Sequence, residues 1–215
     1  MTKITKWSVS PFSCKEGYFL AEAVNRRDWV VEAAERSFSL FGYKATTMDQ
    51  VAKIANVAKG TIYTFFSNKE ELFDEILSSI IAEMKLIVDR TVREDKPFFE
   101  NLYQSMDALL EYRSKHELLA KLFQEVRSFG TQQAKEGLDK VESAILGYLE
   151  KQIAIAGQNG EIQSFDPKIV SFVMLKLYIA LTVDWNQNNE PLTKEQIKEF
   201  VEVFLAGGLS VKNRK

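Results

Sequence analysis

Between Lys59 and Thr64 the chain gathers a positive charge, a residue without a side chain and three hydroxyls: Lys59, Gly60, Thr61, Tyr63 and Thr64. A lysine can neutralise a phosphate, and such hydroxyls can bond phosphates or the edges of bases. Gly60 would let a helix lie close against another surface. If the segment is helical, Ile62 and Phe66 fall one turn apart on a buried side, which turns Gly60, Thr61, Tyr63 and Thr64 outward or to the flanks. That face suits a short helix seated in the major groove of DNA. It equally suits an ordinary helical hairpin with a polar face, and the pattern alone leaves both open.

The residues before it supply a scaffold. A helix of about nine residues can begin at Thr46-Thr47, where a hydroxyl caps the free amides of the first turn. Val51 and Ile54, with the small Ala52 and Ala55, are spaced to face a core. The pattern breaks at Asn56, the non-glycine residue that best tolerates left-handed backbone, so the chain can turn there and begin a second helix near Ala58. Helical patterns run over residues 25–41, 47–55, 58–65, 69–94, 97–113, 115–129, 132–156, 166–187 and 193–210, and no strand alternation competes with them. Pro97, Pro167 and Pro191 fall where helices should begin or end, and Gly157 to Gly160 reads as an interhelical loop because helical periods flank it. The fold class is therefore all-α. Residues 1–20 carry no clear period and read as an arm, 21–68 as a three-helix helix-turn-helix domain, and 69–215 as a larger helical domain.

Composition narrows the classes. A chain of 215 residues suits one small and one medium domain, or a single large helical unit. The net charge of −2 divides unevenly: residues 1–69 hold ten Lys or Arg against six Asp or Glu, and the remainder holds 18 against 24. The basic part is the part with the motif, as an electrostatic footprint on phosphate requires, although a net +4 is modest for one copy. Cys14 is the only cysteine, which excludes an intrachain disulfide or a thiolate metal cluster and fits a reducing cytoplasm. Lys15 is its one evident basic neighbour, so an incidental thiol is favoured over a redox sensor. Charges at Lys3, Lys6, Lys15 and Glu16, and the lack of a run of about 18 apolar residues, argue against a secretory signal and a membrane span. With one histidine, no Gly-rich phosphate loop and no nucleophile elbow, the sequence names no catalytic residue, metal site or cofactor. Glu70 and Glu71 stand at a helix amino end, where they favour the dipole.

Two helices at the carboxyl end are unusually apolar. From Pro167 to Asn188, residues such as Ile169, Phe172, Val173, Met174, Leu177 and Ile179 leave hardly any face for water, which predicts a helix buried on every side. The next carries Ile197, Phe200, Val201, Val203, Phe204 and Leu205, followed by Ala206, Gly207 and Gly208, which would admit a second backbone. So much apolar helix suggests a partner surface; closing the chain's own core is the other reading.

The stretch from Arg27 to Leu72 resembles the amino-terminal domain of the tetracycline-repressor-like (TetR) family of transcription regulators. The likeness runs through Ala33, Ala34 and Phe38, the Phe41-Gly42-Tyr43 turn, the Thr46-Thr47 pair, Lys59-Gly60-Thr61-Ile62-Tyr63, then Phe66 and Ser67-Asn68-Lys69-Glu70. The resemblance implies a homodimer, formed by the last two helices of each subunit, that binds a palindromic double-stranded DNA operator. It also implies release, most often from repression, when a small lipophilic or aromatic effector enters the helical domain. At matching positions, Thr46, Thr47 and Lys69 should contact phosphate, Met48 should lie at a base-reading position, and Lys59, Gly60, Thr61, Tyr63 and Thr64 should face the groove. Many relatives have Gly at the position of Asn56, Ser at that of Ala58 and His at that of Phe65. Phe65 would thus exchange a polar contact for apolar contact with thymine methyls.

By the same resemblance the middle helices should form the effector pocket and the helix from Lys69 should couple it to DNA. Its apolar lining would come from Tyr103, Met106, Leu110, Phe123, Phe129, Tyr148, Phe172 and Tyr178, with Phe98, Phe99, Leu102, Ile145 and Leu149 nearby. Glu125, Arg127, Lys176, Thr182 and His116 are the polar groups that could orient a ligand. Lys176 stands out as a charge inside an apolar helix: a counter-ion for an anionic ligand, a partner for an acid, or a side chain reaching the surface. The competing expectation is a helical ligand-binding or adaptor protein of the same fold that binds no operator.

Overall fold

The computed structural model describes residues 13–115 and 117–209, with side chains from Arg26 onward except at 113–116 and 206. His116, residues 1–12 of the expected arm and the side chain of Cys14 lie outside them. Among the described residues the architecture is helical throughout, nine helices in all. Helix α1 spans Ser13–Ala45, α2 Met48–Ala55, α3 Lys59–Tyr63, α4 Lys69–Thr91 and α5 Phe98–Lys115. They are followed by α6 (Leu118–Phe129), α7 (Gln132–Gln158), α8 (Pro167–Ile179) and α9 (Lys194–Val201). Helix α8 continues through a widened turn at Ala180–Asp184 into a tighter one at Trp185–Gln187, and α9 through a widened turn at Glu202–Ala206 into Gly207–Leu209.

Helix α1 starts well before the position expected at 25, so residues 13–20 of the supposed arm are helical. Leu20, Ala21 and Ala23 are strong helix formers that lack a 3.6-residue pattern of their own. The helix is broken at Gly42, whose backbone is at φ 82°, ψ 173°. Helix starts elsewhere follow local chemistry. Thr47 and Gln50 form a reciprocal capping box at α2, and Asn68 accepts the Glu71 amide at α4. Asp166 precedes Pro167 at α8, and Thr193 with Gln196 repeats the box at α9. Asn56 ends α2 in left-handed backbone, at φ 54° and ψ 44°, as its sequence position predicts.

The main hydrophobic core does not close over α1–α3 alone. Phe38 of α1, Val51 of α2 and Ile62 of α3 join Phe73 and Leu77 of α4, Leu122 of α6 and Leu138 of α7 in one cluster. The rings of Phe38, Tyr43 and Phe73 meet one another at centroid distances of 4.8 to 5.8 Å, a spacing favourable for aromatic pairs. A second cluster lies at the other end, where Ile153 of α7, Met174 of α8 and Val201 of α9 meet Tyr103 and Met106 of α5.

Two expectations about burial fail. Ile54 is exposed rather than facing the core, while Val51 and Ala52 are buried. Helix α8 is not covered all round within one chain: Val170, Ser171, Met174 and Leu175 are buried, but Ile169 is 63% exposed and Phe172 and Val173 also face outward. The same division runs along α9, with Ile197 and Val201 inside and Phe200, Val203 and Phe204 outside. By length and composition Pro167–Gln187 could cross a membrane, with mean hydropathy 1.4 over its most apolar window and 28% of that window buried.

Candidate nucleic-acid interface

The short α3 is held by its apolar side. Ile62 and Phe66 are buried, and the guanidinium of Arg27 covers the Phe66 ring at 5.0 Å while donating to Glu75 of α4 at 2.6 Å. That fixes what faces out: Lys59, Gly60, Tyr63 and Thr64 are exposed, and Thr61 is half-buried. A Cβ built at Gly60 would meet nothing within 4 Å, so the protein's own packing does not require glycine there. Tyr63 is 47% exposed, a large aromatic left in water beside it. Ala58 precedes α3 in extended backbone and supplies no side-chain cap, while its carbonyl accepts the Thr61 amide at 2.8 Å.

Lys59 donates to Asp49 of α2 at 2.9 Å, and that hydrogen bond raises its pKa. Both side chains are exposed, so the pair is a weak one that a phosphate can displace. The Thr64 hydroxyl donates to the Thr61 carbonyl at 2.6 Å, which leaves its lone pairs as acceptors for an outside donor. Thr47 is exposed while it caps α2.

Of the residues expected at the interface, Thr46 and Met48 are buried and Phe65 and Lys69 are half-buried. Thr46 is fully buried: its hydroxyl donates to the Gly42 carbonyl at 2.8 Å and lies 3.2 Å from the Ser37 hydroxyl, so it closes the α1–α2 turn and cannot reach phosphate. Met48 is buried in the main core, which removes it from base reading. Phe65 is half-buried, with part of its side chain packed on the same core. Lys69 donates to the carbonyls of Tyr43 and Thr46 at 3.0 and 3.1 Å and stands 4.1 Å from the Tyr43 ring centre. Burial pushes its ammonium below the usual lysine value, and its visible duty is to hold the turn. Beside it the Tyr43 hydroxyl donates to Glu70 at 2.7 Å. That bond holds the Glu70 carboxyl below its ordinary range, while burial, then Glu70, raises the Tyr43 phenol.

The expected effector residues scatter. Tyr103 and Met106 do meet in the second cluster, and burial, with Glu202 adding to it, pushes the Tyr103 phenol up to about 12. The buried Tyr103 hydroxyl has no hydrogen-bond partner. Tyr148, Leu110 and Tyr178 are half-buried. Phe123 instead packs on the main core, and Phe129 is 70% exposed at the end of α6. Arg127 faces Asp184 at 3.8 Å on the surface, and Phe172 points outward. Lys176 pairs with Glu142 of α7 and lies over Phe172, so the acid-partner reading holds for it. The Thr182 hydroxyl donates to the Tyr178 carbonyl at 2.7 Å. Glu125 lies outside the second cluster, under the α1–α2 turn, where it accepts the Lys44 amide at 2.9 Å. Spacing gave no sign of that contact, because Lys44 and Glu125 are brought together only by the docking of α6 on α1.

Residues 30–76 match the family described as bacterial regulatory proteins, tetR family. Beyond that segment, the chain is 48% identical over 188 residues to an uncharacterised HTH-type transcriptional regulator, YhgD, of Bacillus subtilis, covering 87% of this chain and 98% of that one. The chain belongs to the TetR family. It is a transcriptional regulator, and its relatives include QacR of Staphylococcus aureus, 24% identical over 86% of this chain and 98% of that protein. Among solved structures, the SmeT–triclosan complex superposes with a TM-score of 0.71 at 19% identity, covering 88% of this chain and 93% of that one. The fatty acid degradation regulator FadR of Bacillus halodurans does so at 0.68 and 18% identity, over 83% and 93%. At these identities the likeness is one of fold.

Proposed function

We propose that this TetR-family regulator binds a palindromic operator as a homodimer, most often as a repressor, and lets go when a small lipophilic effector enters the helical domain. The observation that carries the reading is the outer face of α3. A glycine with open space above it, an exposed tyrosine and an exposed lysine stand on a helix whose opposite side is locked into the core. A protein gains nothing internally from that combination, whereas a major groove needs close approach, a cation and hydroxyls. Lys59, Gly60, Thr61, Tyr63, Thr64 and Thr47 are the residues we assign to DNA.

The exposed apolar sides of α8 and α9 are where two copies would pair, which would set two α3 helices about one DNA turn apart. The effector would occupy the second cluster. Its walls are aromatic and aliphatic, and the unpartnered Tyr103 hydroxyl is a polar handle suited to a mostly apolar ligand with one hydrogen-bonding group. The triclosan complex of a protein of the same fold agrees with that chemistry. Helix α4 joins the two ends, since Lys69 touches the α1–α2 turn and its later turns pack on α5. The protein would act in the cytoplasm, where the DNA is, and it would carry no catalytic residue, metal or cofactor.

The test is a gel shift of the purified protein on DNA upstream of its own gene. Binding that weakens steeply with salt supports an operator reader. No shift at low salt with any flanking fragment would favour a helical ligand-binding or adaptor protein instead.

A further inference from the structure

The turn between α1 and α2 is gripped twice, by side chains of opposite charge from two helices of the body. Lys69, the first residue of α4, takes the carbonyls of Tyr43 and Thr46. Glu125, near the end of α6, takes the amide of Lys44 through one carboxylate oxygen. Its other oxygen occupies the space that a side chain at residue 42 would need, since a Cβ on Gly42 would lie 2.2 Å from it. Gly42 is thus required twice, by its positive φ and by the carboxylate against it. Glu125 is only 4% exposed. A carboxylate so deep is costly unless hydrogen-bonded, and the bond it makes is to the main chain that leads into α2. Helix α1 also packs more extensively on α6 than on α4.

We infer that Glu125 is a positioning residue for DNA reading: with Lys69 it sets the angle at which α2 and α3 leave the body, and a shift of α6 that withdraws its carboxylate from the Lys44 amide frees that turn. The inference rests on the proposal that α3 reads an operator, and it adds α6 to α4 as a route between the two ends of the molecule. Two grips make the turn bistable in a useful way. While both hold, the reading helices have one orientation; when α6 moves, only the Lys69 grip remains, and the turn can pivot about it.

The full-length wild type, Glu125→Gln and Glu125→Ala are compared on the same upstream DNA by gel shift, with thermal melting and dimer size measured on the same samples. Amide hydrogen exchange over residues 42–46 is followed without DNA. Glutamine keeps a carbonyl acceptor in place and should stay within about threefold of wild-type affinity. Alanine leaves the Lys44 amide without its acceptor and should weaken operator binding about tenfold or more. It should also speed exchange at 42–46 while α8, α9 and the dimer are unchanged. An alanine variant with wild-type affinity and wild-type exchange overturns the inference. So does one that loses affinity only because the fold or the dimer is lost. If the wild type itself binds no DNA, the operator reading fails, and the exchange result alone decides whether Glu125 holds the turn.

Discussion

Gly60 has nothing around it to crowd, so the chain's own packing does not require its missing side chain, and on the proposed reading the glycine serves close approach to the groove. Its backbone is not among the positive-φ positions, and alanine there should be tolerated or even raise helix stability by about 0.5–1 kcal/mol. Gly60→Ala is therefore expected to melt at or above the wild-type temperature while its operator affinity falls about tenfold, through a methyl group held in the groove. Equal affinity would remove the glycine from the interface. Tyr43 makes a second residue-level case. Its phenol is raised by burial and by Glu70, so stability should hold steady below the ordinary tyrosine value near 10. Above that pH it should fall, because the unfolded chain loses the proton first and the folded one retains it. Tyr43→Phe should make the alkaline decline shallower in pH-dependent melts. Which of these residues were legible is a matter of local versus distant causes. Asn56 declares its turn because left-handed backbone is a property of the residue itself. Thr46 and Met48 look the same to a reader of sequence whether they point in or out, and the end of α1, packed against them, decides it.

The starts of α2, α4, α8 and α9 were readable from caps, whereas α3, like α6 and α7, has no side-chain cap. Ala58→Ser would place an acceptor at that position, in backbone already extended at φ −67° and ψ 143°. It should stabilise the fold by about 0.5–1 kcal/mol, measured by denaturant titration, with no change in dimer size. Contacts between helices were not readable, and α4 against α7 shows why. A Cβ at Gly137 would lie 2.8 Å from Leu77 Cδ1 and 2.9 Å from Phe73 Cε1, and both of those side chains are buried. Gly137→Ala should thus cost about 1–3 kcal/mol by forcing α7 off α4. The melting temperature should fall by roughly 2–4 °C per kcal/mol in a chain of this size. A glycine inside a helical pattern reads as a weak helix former; only the packing shows that a side chain there would crowd Leu77 and Phe73. The apolar run of α8 misleads in the opposite direction, since hydropathy predicts burial without saying by what.

At the scale of the molecule, the apolar carboxyl-terminal faces and the modest basic charge of the head point to the same conclusion. One copy offers a proposed reading helix of a few residues whose lysine is already paired with Asp49, too little for a tight hold on DNA. Two copies double the phosphate contacts and make the second half-site an intramolecular event. The surface available for pairing is Ile169, Phe172 and Val173 on α8 with Phe200, Val203 and Phe204 on α9, where the last phenylalanines stack at 5.7 Å. Val203 is 63% and Phe204 62% exposed, so glutamates there leave the chain's own core untouched. Val203→Glu combined with Phe204→Glu should therefore fold with a wild-type helical spectrum but sediment at half the mass. Its operator affinity should fall by about two orders of magnitude or more, beyond what any single α3 substitution produces, because each head then binds alone. A double variant that remains a dimer would place the interface elsewhere. Loss of vesicle binding by the variant, with a wild type that binds vesicles and is monomeric, would instead mark Pro167–Gln187 and its neighbour as a lipid-facing surface.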